Sequence, residues 1–206
     1  MIYSAGIDNG LKGSVVLIDE NIKIVKWWDT PVMTGHKPGR TPKGKKRAKT
    51  DLATTEMGKI IRWIINHVPN ENSALMFWIE KAWPMQGQGI SSTFKTAQGY
   101  GIWEGCCIGT GVQYDIVSPR TWQKAVLRDM PAGDPKTRSM GKCQRIFPDL
   151  PLKTPTGRKL TFDGRADAAM IAYYGLLQMK GMEEEPRVKK TPPPRKRNKI
   201  QREPKY

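Results

Sequence analysis

Tyr3-Ser4-Ala5-Gly6-Ile7-Asp8-Asn9-Gly10-Leu11-Lys12-Gly13-Ser14-Val15-Val16-Leu17-Ile18 opens the chain with two apolar runs around a glycine-bearing turn. Asn9-Gly10 is favoured hairpin chemistry because both residues tolerate positive φ. Residues 3–7 and 13–18 are therefore expected to pair as antiparallel strands. A second turn, Glu20-Asn21, leads into residues 22–28, an apolar run with partial alternation that adds a third strand.

Outward from these strands, residues 34–49 are rich in Gly, Pro and Lys, lack core-forming residues, and are expected to be a mobile loop. Residues 51–68 repeat Leu52, Met57, Ile60, Ile61, Ile64 and Ile65 at helical spacing. Residues 74–79 fit a buried strand and 91–108 a helix, in which Gly99, Gly101 and Gly105 weaken the helix but permit close packing against another helix or a second subunit. Residues 112–117 give a fifth strand. Ser118-Pro119 then opens a helix to about residue 127, residues 136–146 form a basic helix, and residues 163–179 form the last one. Beyond Gly181 the composition turns to Pro and Lys, as in a disordered tail.

The 206 residues suffice for one α/β domain, expected over residues 1–180. The formal charge is +16, and it is clustered. Residues 35–50 hold seven Lys or Arg and no acid, and residues 181–206 carry a net +5, so two arms contain 12 of the 16 charges. Such arms favour a polyanion, through phosphate contacts and release of counterions. Cys106, Cys107 and Cys143 lack zinc spacing and read as small apolar side chains in a reducing compartment. No run is apolar enough to span a bilayer, and the first strand starts too close to Met1 to leave room for a targeting peptide. A cytoplasmic location, in a bacterial or phage-infected cell, is the expectation.

Four carboxylates carry the chemistry. Asp8 ends the first strand and Glu80 ends the apolar run from Leu75 to Ile79. Asp163 and Asp167 stand four apart at the start of the last helix, hence on one face. One reading makes Asp8 a turn residue, Glu80 an exposed strand terminus, Asp163 an N-cap and Asp167 a favourable first-turn charge. That reading leaves unexplained an acid between Ala166 and Ala168 in a helix that looks buried. A divalent cation would explain it. All-oxygen ligands select hard ions such as Mg²⁺ or Mn²⁺, and two ions roughly 3.5–4 Å apart can drive phosphodiester hydrolysis. His36 and His67 lie away from these positions.

Gly6-Ile7-Asp8-Asn9-Gly10, Phe77-Trp78-Ile79-Glu80, Ser118-Pro119-Arg120-Thr121-Trp122, the Lys-rich segment ending in Phe147-Pro148, and Asp163-Gly164-Arg165-Ala166-Asp167-Ala168 together resemble the RuvC superfamily of Holliday-junction resolvases. The phage and organellar branches are the most similar, and the resemblance covers residues 2–175 in order. It implies a ribonuclease-H-like α/β fold, a mixed five-stranded sheet flanked by helices. It implies that Asp8, Glu80, Asp163 and Asp167 bind two Mg²⁺ ions, for which Mn²⁺ can substitute. It also implies a homodimer that cuts opposed strands of branched DNA, four-way junctions above all, in symmetric pairs. The bacterial pattern spaces its last two acids three apart rather than four.

Trp83, three residues past Glu80, matches an aromatic that acts near the junction centre in that family, and aromatic side chains stack on or wedge between bases. Packing beneath its own loop is the other reading. Gln86 and Gln88 share this loop and are candidates for DNA contact. Lys124, Lys136, Arg138 and Lys142, on the helices expected to flank the site, are candidate phosphate ligands. Two other functions fit the residues: a ribonuclease-H-like nuclease acting on flaps, forks or RNA–DNA hybrids, and a non-catalytic junction-binding architectural protein.

Overall fold

The computed structural model describes residues 1–40, 46–69, 72–83, 87, 89–152 and 162–181. Five strands, β1 (Ile2–Ile7), β2 (Ser14–Asp19), β3 (Ile24–Asp29), β6 (Ala74–Glu80) and β7 (Tyr114–Val117), form one sheet in the order β3-β2-β1-β6-β7. The three amino-terminal strands are antiparallel, as expected, while β6 and β7 run parallel to β1. The helices are α1 (Thr54–His67), α2 (Ile90–Thr110), α3 (Pro119–Val126), α4 (Pro135–Ile146) and α5 (Asp163–Met179).

Period-two alternation sorts the strands onto two cores. Val15, Leu17, Phe77 and Ile79 face Met57, Ile61 and Ile64 of α1 and Trp103 and Cys107 of α2. Val16, Ile18 and Trp78 face Trp122 of α3, Cys143 of α4 and the alanines of α5. Helix α5 lies directly on β1. A Cβ at Gly6 would stand 2.2 Å from the Ala168 carbonyl oxygen, and Ser4 Oγ donates to the Ala172 carbonyl at 2.7 Å. The residues of α5 from Gly164 to Leu176 are buried almost all round, because α3 and α4 cover it from outside.

One expectation is corrected. The composition of residues 34–50 predicts a mobile loop, but Val32–Arg40 (β4) and Lys46–Leu52 (β5) pair as an antiparallel ribbon. Pairing needs only backbone donors and acceptors, so a segment with no core pattern can still form a ladder when its ends are held. Leu52 is buried and Ala53 N donates to the Pro31 carbonyl at 2.9 Å, closing the base. Because β5 takes Asp51 and Leu52, α1 starts three residues later than its periodicity suggests.

Pro119 and Pro135 open α3 and α4, capped by Ser118 and Asp134 accepting from Thr121 N and Thr137 N. The three cysteines are free. Among the described residues no helix is long and apolar enough to cross a membrane. The expected basic tail, past Gly181, lies outside the described residues.

Candidate active site

The parallel register Ile7↔Ile79 places Asp8 and Glu80 side by side where β1 and β6 leave the sheet. The carboxyl ends of parallel strands are where α/β sheets bind ligands. The first turn of α5 comes to the same edge, because Gly164 lies against the turn after β1; a Cβ there would meet Lys12 O at 2.1 Å and Gly13 Cα at 2.7 Å. Asp163 and Asp167 thus face Asp8 and Glu80, and the fold gathers all four carboxylates expected from the sequence.

Their electrostatics reflect burial first, with repulsion between the carboxylates adding to it. Burial, with the nearby Asp8 carboxylate adding to it, raises Glu80 to about 8 against an indole hydrogen bond from Trp122 Nε1 to Oε1 at 2.8 Å. Burial likewise raises Asp167 to about 7 and Asp8 to about 6, although Gly10 N donates to Asp8 Oδ1 at 3.1 Å. Ser139 Oγ stands close enough to Asp167 to lower it, without completing a normal hydrogen bond. Asp163 differs. Burial alone would raise it, but Lys136 Nζ on Oδ2 at 2.6 Å and the backbone amides at the helix start outweigh that and hold it below the usual range. The same contact raises Lys136, and Asp167 and Asp8 reinforce the effect.

Among the described residues the carboxylates therefore meet one ammonium, from Lys136. Among the described residues no three Asp, Glu, His or Cys side chains are drawn together tightly enough to hold one ion unaided. Mg²⁺ commonly takes one or two carboxylates and completes its shell with water and substrate phosphate. The donor set is all oxygen, and burial, with a smaller repulsion among the carboxylates, raises Glu80, Asp167 and Asp8; a cation would offset both. The residues fit the ion.

The candidate DNA ligands divide. Trp83 is 66% exposed, with Lys81 Nζ 5.8 Å from its ring centre. Lys124 is exposed on α3. Lys136 stands in the carboxylate cluster. Arg138 donates to the Leu127 carbonyl at 2.6 Å and Lys142 to Asp129 at 2.8 Å, so both tie α4 to the end of α3. Gln86 and Gln88 lie outside the described residues.

Several supporting residues go beyond the expectations from sequence. Asn9 Nδ2 donates to the Glu80 carbonyl, tying β1 to β6 at their ends. Trp122 orients Glu80, and its place in the Ser118–Trp122 motif is the available signal. Arg165 forks onto Asp29, with Nε to Oδ1 and Nη2 to Oδ2 both at 2.6 Å, and Nη1 donates to the Pro151 carbonyl at 2.7 Å.

No protein-family model matches the chain, and no curated protein matches it in sequence. Among solved structures, Thermus thermophilus RuvC in complex with a Holliday junction substrate aligns with a TM-score of 0.52 at 13% identity, covering 88% of this chain and 98% of that one. A second T. thermophilus RuvC structure aligns at 0.48 and 14% identity, covering 87% and 97%. The carboxylate-edged mixed sheet of this chain thus has the ribonuclease-H-like fold seen in RuvC.

Proposed function

We propose that this chain is a divalent-metal-dependent endodeoxyribonuclease that resolves branched DNA, four-way junctions in particular. The observation that carries the reading is the convergence of Asp8, Glu80, Asp163 and Asp167 on one sheet edge, with Lys136 as their only described counter-ion. The RuvC fold, in a protein solved with a Holliday junction, supports the choice of substrate. These four residues would hold two Mg²⁺ ions, which supply activation of a water and neutralisation of charge on the phosphate. The chain does the rest. Trp122 and Asn9 hold Glu80 in place, Ser139 stands beside Asp167, and Lys136 would exchange its contact with Asp163 for one with a phosphate oxygen. Trp83 extends beyond the cluster to meet an unstacked base. The test is cleavage of a mobile four-way junction, beside flaps, forks and RNA–DNA hybrids, in Mg²⁺, Mn²⁺, Ca²⁺ or chelator. Paired, symmetric, Mg²⁺-dependent cuts in the junction support the proposal. Cutting confined to hybrids or flaps reassigns the substrate, and binding without cutting in any metal leaves an architectural protein.

Paired cuts require two sites, and α2 offers a surface for a second copy. Ile90, Phe94, Ala97, Gly101, Gly105 and Ile108 recur every three or four residues on its exposed side. Ile90 is 89% exposed, Phe94 68% and Ile108 63%, while nothing stands where a Cβ of Gly101 or Gly105 would. Gly99 differs, since it touches the Asn9 backbone of its own chain. An apolar face of this length is costly in water, and the glycines let a second helix approach closely. Phe94→Glu and Ile108→Glu are predicted to give monomers by sedimentation velocity and to unpair the two cuts. A wild-type chain that is itself monomeric on DNA would defeat this.

Two further expected results concern the site. Without metal, the melting temperature should fall between about pH 5 and 8. Asp8, Asp167 and Glu80 are raised to about 6, 7 and 8, so the folded chain binds these protons more tightly than the unfolded chain does. The stability they contribute is full below the ordinary carboxylate range and is lost as pH passes through those values. Mg²⁺ should restore it. A melting temperature in chelator that is flat or rising across this window counts against the crowded site. Trp83→Ala should lower junction cleavage about tenfold, within the roughly 1–3 kcal/mol of one base stack, and leave affinity for plain duplex unchanged. Equal losses on both substrates would remove Trp83 from the branch point.

A further inference from the structure

Among the described residues the strands of the β4–β5 ribbon pair only with each other, in a sheet separate from the one that carries Asp8 and Glu80. An isolated two-stranded hairpin is marginal in water, so this one depends on its base. Thr30 N donates to the Gly13 carbonyl at 2.9 Å, Ala53 N to Pro31, and Lys95 of α2 donates to the Thr50 carbonyl with Asp51 at 3.7 Å. Gly13 closes the turn that begins at Asp8, where Asp8 N donates to the Ser14 carbonyl at 3.0 Å. The ribbon therefore leaves the domain beside the catalytic edge.

Its register sets basic residues against one another. Lys37 is opposite Arg47, Arg40 is opposite Lys46, and Lys49 is opposite Gly35. Placing like charges directly across a ladder is unfavourable; residues 35–50 contain no acid, and Asp51 at the base lies 3.7 Å from Lys95 Nζ. A polyanion along the ribbon would offset the repulsion. Nine strand residues at about 3.3 Å each span roughly 30 Å, the rise of about nine base pairs, and a two-stranded ribbon is slim enough for the major groove.

We propose that the β4–β5 ribbon is an arm that grips duplex DNA flanking the cleavage point, with Lys37, Arg47 and Lys49 on its phosphates. The proposal rests on the nuclease reading for the position of the DNA, but its contacts are to phosphates and carry no sequence preference. The arm lengthens the footprint along one duplex branch of the substrate.

The test uses the full chain with Lys37→Ser, Arg47→Ser and Lys49→Ser combined, beside a charge-keeping control with Lys37→Arg and Lys49→Arg. Affinity is measured in chelator across a salt series, on junctions with arms of about 20 base pairs and of about 6. The serine variant should flatten the dependence of log affinity on log salt by roughly two to three on long arms, at about 0.9 for each phosphate no longer neutralised. On short arms it should match wild type, and the arginine control should match wild type on both. An unchanged slope on long arms, in a variant that melts like wild type, overturns the proposal in favour of an acidic protein partner. So does a serine-variant loss that the arginine control shares, since that would come from the ribbon's fold and not its charge. If wild type cuts no substrate in Mg²⁺ while the slope still flattens, the nuclease reading fails and the arm stands. If wild type cuts junctions and the slope is unchanged, the arm fails alone.

Discussion

Glu80→Gln and Asp8→Asn should each lower junction cleavage by roughly a thousandfold or more, about 4 kcal/mol of transition-state stabilisation, while junction affinity holds or rises. Each substitution keeps shape and removes one anionic oxygen donor from the place where the two parallel strands end together. Binding should persist because phosphates would then approach a less negative edge. Folding should persist as well, and Glu80→Gln offers a control that few active-site variants allow. Burial and the neighbouring Asp8 already raise Glu80 to about 8, so a neutral amide there should stabilise the metal-free chain above that pH. A variant that is inactive, binds junctions and melts higher in chelator fits a metal ligand under electrostatic strain. An inactive variant that melts lower would indicate a structural carboxylate whose loss disturbs the fold. Wild-type rates in both variants would end the catalytic assignment.

The carboxylates are legible in the sequence because their positions are dictated locally. A strand end after an apolar run, and a four-residue spacing on a helix, place a side chain whatever surrounds it. Convergence of the four is not legible from spacing; it follows from Gly6 and Gly164 letting α5 lie against β1 and its turn. Partners far apart in sequence are the main gap. Arg138 and Lys142 look like phosphate ligands on a basic helix, but they meet Leu127 and Asp129 across the α3–α4 corner. Nothing in a run of positive residues says which of them already has an internal acceptor. Lys136 shows the converse, since a candidate phosphate ligand is also the counter-ion of Asp163. The ribbon reads as a loop because residues without apolar alternation give no signal of pairing, and its stability comes from anchors at Pro31 and Leu52.

Arg165 accounts for the basic residue inside the Asp163–Ala168 motif, and it should prove a strut. Its side chain leaves the first turn of α5 and forks onto Asp29 at the end of β3, a contact spanning 136 residues of sequence. Its guanidinium lies 4.0 Å from the Trp27 ring centre and 3.7 Å from that of Phe162, and its third contact fixes the Pro151 carbonyl. Ser14 Oγ donates to the same Asp29 carboxylate at 3.2 Å, joining β2 to the network. Arg165 is only 7% exposed, whereas the Asp29 side chain is 47% exposed. Water therefore screens the acid's share, and losing the buried partner should cost less than a fully buried pair would. Arg165→Met is expected to destabilise by about 3 kcal/mol, lowering the melting temperature by roughly 6–12 °C. Arg165→Lys should recover little, since an ammonium can neither fork onto both oxygens nor stack flat between two rings. Asp29→Asn should cost less than Arg165→Met, and the double variant should fall well short of their sum. Because the same end of α5 carries Asp163 and Asp167, cleavage should fall in Arg165→Met even well below its melting temperature, with junction affinity retained. Additive losses in the double variant, or unchanged melting in Arg165→Met, would mean that the start of α5 is held by its glycine and alanine contacts alone.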